Sequence, residues 1–101
     1  MNTVVTPEKL EHYFSITEEA LVQARQHLNP QQLTSAADFL DMATRYCEDA
    51  RYFYDTKKDL VLAFAALNYA HGWLDAGARI GLFLVKDSRL FTVDDGRRKR
   101  V

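Results

Sequence analysis

Residues 60–85 read LVLAFAALNYAHGWLDAGARIGLFLV, and this stretch restricts the possible folds of the chain more than any other. It contains no proline and is rich in alanine and leucine, so as one helix it would extend ~39 Å at ~1.5 Å per residue. A helix of that length and apolarity must either cross a membrane or be covered by other elements. Asp75 and Arg79, near its centre, decide between the two. Each would cost roughly 2.5–3.5 kcal/mol in the middle of a bilayer-spanning helix. The preceding residues supply two amphipathic segments that need a surface to cover, so the stretch reads as the central helix of a bundle.

The first of those segments begins at Thr6-Pro7-Glu8. Thr caps free amides, Pro suits the first turn, and Glu complements the helix dipole. Leu10, Phe14, Thr17, Leu21, Ala24 and Leu28 then recur in alternating steps of four and three, which is one buried stripe. Asn29-Pro30 ends it, because the residue before proline avoids the α region. The second helix starts there or at the competing capping signal of Ser35 and Asp38. Ala36, Leu40, Ala43, Cys47, Ala50 and Tyr54 form its stripe, while Asp41, Arg45 and Asp49 face water as exposed ion pairs. A short polar link ends at Asp59, a cap for the third helix, and a link this short makes helices two and three an antiparallel hairpin.

The third helix buries one face through Leu60, Ala63, Leu67, Ala70, Leu74, Gly77 and Gly81. Leu62, Tyr69, Trp73, Ile80 and Phe83 lie on a second apolar face beside it. Together they exceed half the circumference. Two neighbouring helices need about that width, and any excess could serve a homodimer. The glycines let neighbouring backbones approach closely. The expected fold is therefore all-α, a single antiparallel up-and-down three-helix bundle over residues 1–86, with helices about 7–28, 31–54 and 59–85. Residues 87–101 form an extended or disordered basic tail, of which Leu90 to Val93 could lie against the bundle.

A chain of 101 residues suits one domain of limited core. Its net charge of −1 argues against a protein built wholly around nucleic acid, yet residues 86–101 hold six of the thirteen Lys/Arg and three of the fourteen Asp/Glu. An acidic body carrying a basic end is a real asymmetry. Arg97, Arg98, Lys99 and Arg100 could touch phosphate non-specifically, although such an end is more often simply solvated. The lone Cys47 cannot form an internal disulfide, which fits a reducing compartment. No basic-then-apolar start resembles a signal peptide. A cytoplasmic protein without membrane contact is expected.

Asn68, His71, Asp75 and Arg79 fall within an arc of about 80° on the third helix. Spacings of four allow His71–Asp75 and Asp75–Arg79 contacts. A carboxylate that orients a histidine is the geometry of general-base catalysis, and an arginine nearby could hold a phosphate or carboxylate. The same four could instead be a hydrogen-bonded seam fixing the register of the helices. No second convergent cluster occurs elsewhere, which weighs against an enzyme, so no residue is assigned as catalytic. Metal binding is weaker still: neither an H-E-x-x-H nor an E-x-x-H pair is present, and His12 and His27 lie on other segments. Tyr69, Trp73 and Phe83 are the candidate partner surface, since Trp and Tyr are enriched at interfaces.

The motif Ala66-x-Asn68-Tyr69-Ala70-His71-Gly72-Trp73-Leu74-Asp75-Ala76-Gly77-Ala78-Arg79-x-Gly81-Leu82-Phe83 resembles the signature of an archaeal family, the domain of unknown function 357. The resemblance covers roughly residues 8–86 and leaves the basic tail outside. It implies an archaeal source, a three-helix bundle, and an accessory role beside a nucleotidyltransferase-type enzyme. It carries over no catalytic residues and no cofactor. The expected function is a non-catalytic interaction or accessory module for a protein partner. The alternative is a small-ligand binder or enzyme using Asn68, His71, Asp75 and Arg79. A further alternative is weak nucleic-acid binding through the tail.

Overall fold

The computed structural model describes residues 4–92, and among them three helices hold most of the chain: α1 (Pro7–Gln26), α2 (Leu33–Asp55) and α3 (Leu60–Arg79). Two of the three starts are capped as the sequence predicts. Thr6 Oγ1 accepts from the Lys9 amide at 3.1 Å, and Asp59 Oδ1 accepts from the Leu62 amide at 3.0 Å. The start of α2 has no side-chain cap on Gln32, so neither capping signal is used. Asn29 instead turns the chain locally, its Oδ1 accepting from the Gln31 amide at 3.0 Å.

Cross-helix pairs give the topology. Tyr46 stacks on Tyr69 and the rings of Phe39 and Trp73 meet edge-on, so α2 and α3 run antiparallel. Phe14 stacks with Tyr54 and Glu18 pairs with Arg51, so α1 and α2 run antiparallel as well. Arg51 clamps that pair: its guanidinium lies 3.9 Å over the Phe14 ring and reaches Glu11 and Glu18 at 3.4 Å each. Tyr13 meets Phe64 and Thr17 meets His71, so α1 lies parallel to α3. This is an up-and-down bundle in which α3 packs chiefly on α2 and less on α1.

The core follows the predicted stripes: Leu10, Phe14, Leu21 and Ala24 from α1, Ala36, Ala43, Cys47 and Ala50 from α2, and Ala63, Leu67, Ala70 and Leu74 from α3. The end of α3 departs from expectation. The helix stops at Arg79 instead of running to Val85, although residues 80–85 stay apolar. Gly81 adopts φ +81°, and the Leu82 amide bonds the Gly77 carbonyl at 2.8 Å while the Gly81 amide reaches Ala78 at 3.3 Å. That is the paired C-terminal capping motif a left-handed glycine permits. The reversal drops the Phe83 ring onto Gly77, where a Cβ would overlap it. Phe83, expected on a partner surface, is 1% exposed and belongs to the core. Gly77 therefore admits an aromatic ring, not a neighbouring helix backbone.

Residues 82–92 then return along α1 as a strap. Leu28 and Phe83 form an isolated antiparallel bridge, with the Asn29 amide on the Leu82 carbonyl and the Leu84 amide on the His27 carbonyl, both 2.8 Å. Asn29 Nδ2 adds a bond to the Gly81 carbonyl at 2.8 Å. Further on, Leu90 and Phe91 are buried at 4% and 3% exposure. The first residues of the expected tail are thus part of the packed body. No helix of the described residues is long and apolar enough to cross a membrane.

Candidate functional site

His71 and Asp75 face the gap between α1 and α3, and the strap fills that gap. The Leu90 carbonyl lies 2.6 Å from His71 Nε2. A carbonyl can only accept, so Nε2 carries the proton and donates it. In the neutral ring Nδ1 is then an acceptor, and the Thr17 hydroxyl donates to it at 3.0 Å. One imidazole ties three segments together. Thr17 is the single buried polar residue among the described residues, 3% exposed, and this bond satisfies its hydroxyl.

Asp75, one turn on, holds the end of the strap. Its Oδ1 accepts from the Thr92 amide at 2.8 Å and its Oδ2 from the Thr92 hydroxyl at 3.2 Å. The His71–Asp75 separation is 3.8 Å, with side chains 21% and 31% exposed. The other two members of the polar stripe do not join them. Asn68 and Arg79 are exposed, and among the described residues neither has a hydrogen-bond or ion-pair partner. The Asp75–Arg79 contact that the spacing allows is not formed, because Asp75 has turned to Thr92. Asn68, His71 and Asp75 border one open cleft of about 280 Å³, and Asp75 and Arg79 border another of about 320 Å³.

A turn at Asp87 presents Leu90 to His71. Its backbone carbonyl accepts from the Leu90 and Phe91 amides at 3.0 Å, and its carboxylate accepts from the Arg89 amide at 3.1 Å. The Arg89 guanidinium closes on the same carboxylate at 2.7 Å, and Gln23 of α1 donates to it at 3.2 Å. The Arg89 hydrogen bond is the main reason the Asp87 carboxyl is held down at about 2, below its ordinary 3.8, with Gln23 assisting against partial burial.

A second feature lies on the other side of α3. Phe39, Tyr69, Gly72, Trp73 and Ala76 line an open, almost wholly apolar groove of about 460 Å³. Tyr69 is 54% exposed, and Trp73 is half-buried with Nε1 lacking a hydrogen-bond partner among the described residues. Of the three aromatics expected to form a partner surface, Tyr69 and Trp73 border this groove and Phe83 does not. Cys47 is 6% exposed, and burial first, then Glu18, pushes its thiol up to about 11. Arg97, Arg98, Lys99 and Arg100 lie outside the described residues. Among the described residues no three or more of His, Cys, Asp and Glu come together as a metal-binding group.

Sequence reasoning found His71 and Asp75 but missed their partners Thr17, Leu90 and Thr92. A signal for Thr17 existed, since it interrupts the apolar stripe of α1 at a position that must be buried. Leu90 contributes a backbone carbonyl, which no side-chain pattern announces. The family model described as "Protein of unknown function (DUF357)" matches residues 12–83. No curated protein and no solved structure matches the chain.

Proposed function

The chain belongs to the DUF357 family, and from that premise we propose that it is a non-catalytic interaction or accessory module. One observation carries this reading: the groups a catalytic dyad would use are spent on the fold. Both His71 nitrogens are engaged, by Thr17 and Leu90, and both Asp75 oxygens are engaged by Thr92. A general base needs a free nitrogen within reach of a substrate proton. Here the imidazole latches a strap. The surface left for function is the apolar groove beside Tyr69 and Trp73, since exposed aromatic grooves are where protein partners anchor. A nucleotidyltransferase-type enzyme is the partner that the family resemblance favours.

The test is a nuclease-treated pull-down from the source organism, with tagged wild type beside Gly72→Arg and Asn68→Ala. The expected result is one stoichiometric protein retained by wild type and Asn68→Ala but lost from Gly72→Arg. Capture that depends on the exposed Asn68, or a retained small molecule in place of a protein, would move the function to the polar stripe.

A further inference from the structure

The exposed face of α3 carries Val61, Ala65, Tyr69, Gly72, Ala76 and Ile80. None is charged, and Val61, Tyr69 and Ile80 are 69%, 54% and 58% exposed. Gly72 is the unexplained member. A Cβ there would meet nothing within 4 Å, and its backbone is not left-handed. Glycine is disfavoured in a helix interior relative to alanine, and no contact inside the molecule calls for it. What its missing side chain does is deepen the groove between Tyr69, Trp73 and Phe39.

Residues along this face pair by size about a point between Ala70 and His71, like against like at the ends and large against small at the centre. Val61 mirrors Ile80, Ala65 mirrors Ala76, and Tyr69 mirrors Gly72. Two α3 helices laid antiparallel about a two-fold axis at that point would set branched side chains opposite each other at both ends. Alanine would face alanine inside them, and each Tyr69 would sit over the other copy's Gly72. A two-fold contact requires this kind of self-complementarity. The same register sets no charged residue directly against a like charge: Arg79 falls level with Leu62 of the second copy, and Asp75 level with Ala66.

We propose that this face joins two copies of the chain in an antiparallel α3–α3 dimer, with Tyr69 of each copy seated over Gly72 of the other. The proposal rests on reading the groove as an interaction surface: a second copy covers it in the isolated protein and gives way to a protein partner that binds the same residues more tightly. A single helix pair lies at the small end of specific interfaces, the range of weak and transient association.

Analytical ultracentrifugation of the full chain tests it. The mass should double across about 10–100 μM, and Gly72→Arg should weaken that association at least tenfold while the melting temperature of the dilute protein changes little. Gly72→Ala should separate the two properties, raising the melting temperature and weakening the dimer. Ala65→Cys mixed with Ala76→Cys should cross-link faster than either variant alone. A monomer at every concentration overturns the proposal, as does a dimer indifferent to Gly72→Arg, or Ala65→Cys linking best to itself. A monomer whose captured protein is still lost on Gly72→Arg overturns the dimer and leaves the interaction reading standing. A dimer that captures nothing does the reverse.

Discussion

Three glycines of α3 and its cap look alike in sequence and do different physical work. Gly77 lies under the Phe83 ring, so Gly77→Ala should destabilise by about 1–3 kcal/mol through overpacking. Gly72 meets nothing, and Gly72→Ala should stabilise the monomer by up to about 1 kcal/mol through helix propensity. Urea denaturation of the two variants should give midpoints displaced in opposite directions. His71→Ala strips the Leu90 carbonyl and the Thr17 hydroxyl of their partner, and each buried polar group left unpaired costs about 1–3 kcal/mol. Arg79→Ala, by contrast, removes no bond among the described residues and should stay within about 0.5 kcal/mol of wild type. Reading the four polar residues as one unit joins Arg79 to Asp75, whereas Asp75 serves Thr92. Helical spacing permits a contact but does not choose among competing donors. Cys47, with its thiol pushed up to about 11 by burial, should resist alkylation at neutral pH until the bundle opens.

Among the elements, the strap of residues 82–92 is the one periodicity did not reveal. Apolar residues continue past Arg79, so a helical pattern runs on, yet Gly81 in the left-handed region ends the helix. Leu82 and Phe83 are then buried by reversal, not by helical phase. The far half of the strap depends on the Asp87 turn, and this gives it a pH dependence of definite sign. The carboxyl titrates at about 2 in the folded chain against an ordinary 3.8. Its contribution is therefore complete above about 4 and is lost as pH falls through the folded value. Protection of the Leu90 and Phe91 amides, read as exchange relative to the intrinsic rate, should fall between pH 4 and about 2 in wild type, while Asp87→Asn should show the lower protection across that range without the step. A wild type whose exchange follows only the intrinsic pH profile would remove the turn from this role.

At the scale of the molecule, the strap closes the gap between α1 and α3, which pack on each other far less closely than α2 and α3 do. Deleting residues 86–101 should cost roughly 1.5–3 kcal/mol for each of Leu90 and Phe91, read as a lowered midpoint of thermal or urea unfolding. Retention on heparin that disappears with residues 97–101 would return nucleic acid to consideration as a partner of the tail. The three helices, their caps at Thr6 and Asp59, and the stripes through Phe14, Cys47 and Leu67 were decided by the sequence alone, because periodicity, capping and proline act within a few residues of chain. Which polar group serves whom was not local. Thr17 finds His71 across 54 residues, and Asp75 finds Thr92 only because a strap with no periodic signal folds back over it. The same holds for Phe83, whose place on a surface or in the core turned on one glycine's φ. Only the tertiary structure decides such matters, because backbone carbonyls, amides and reversed segments pair by position in space and leave no mark in the spacing of side chains.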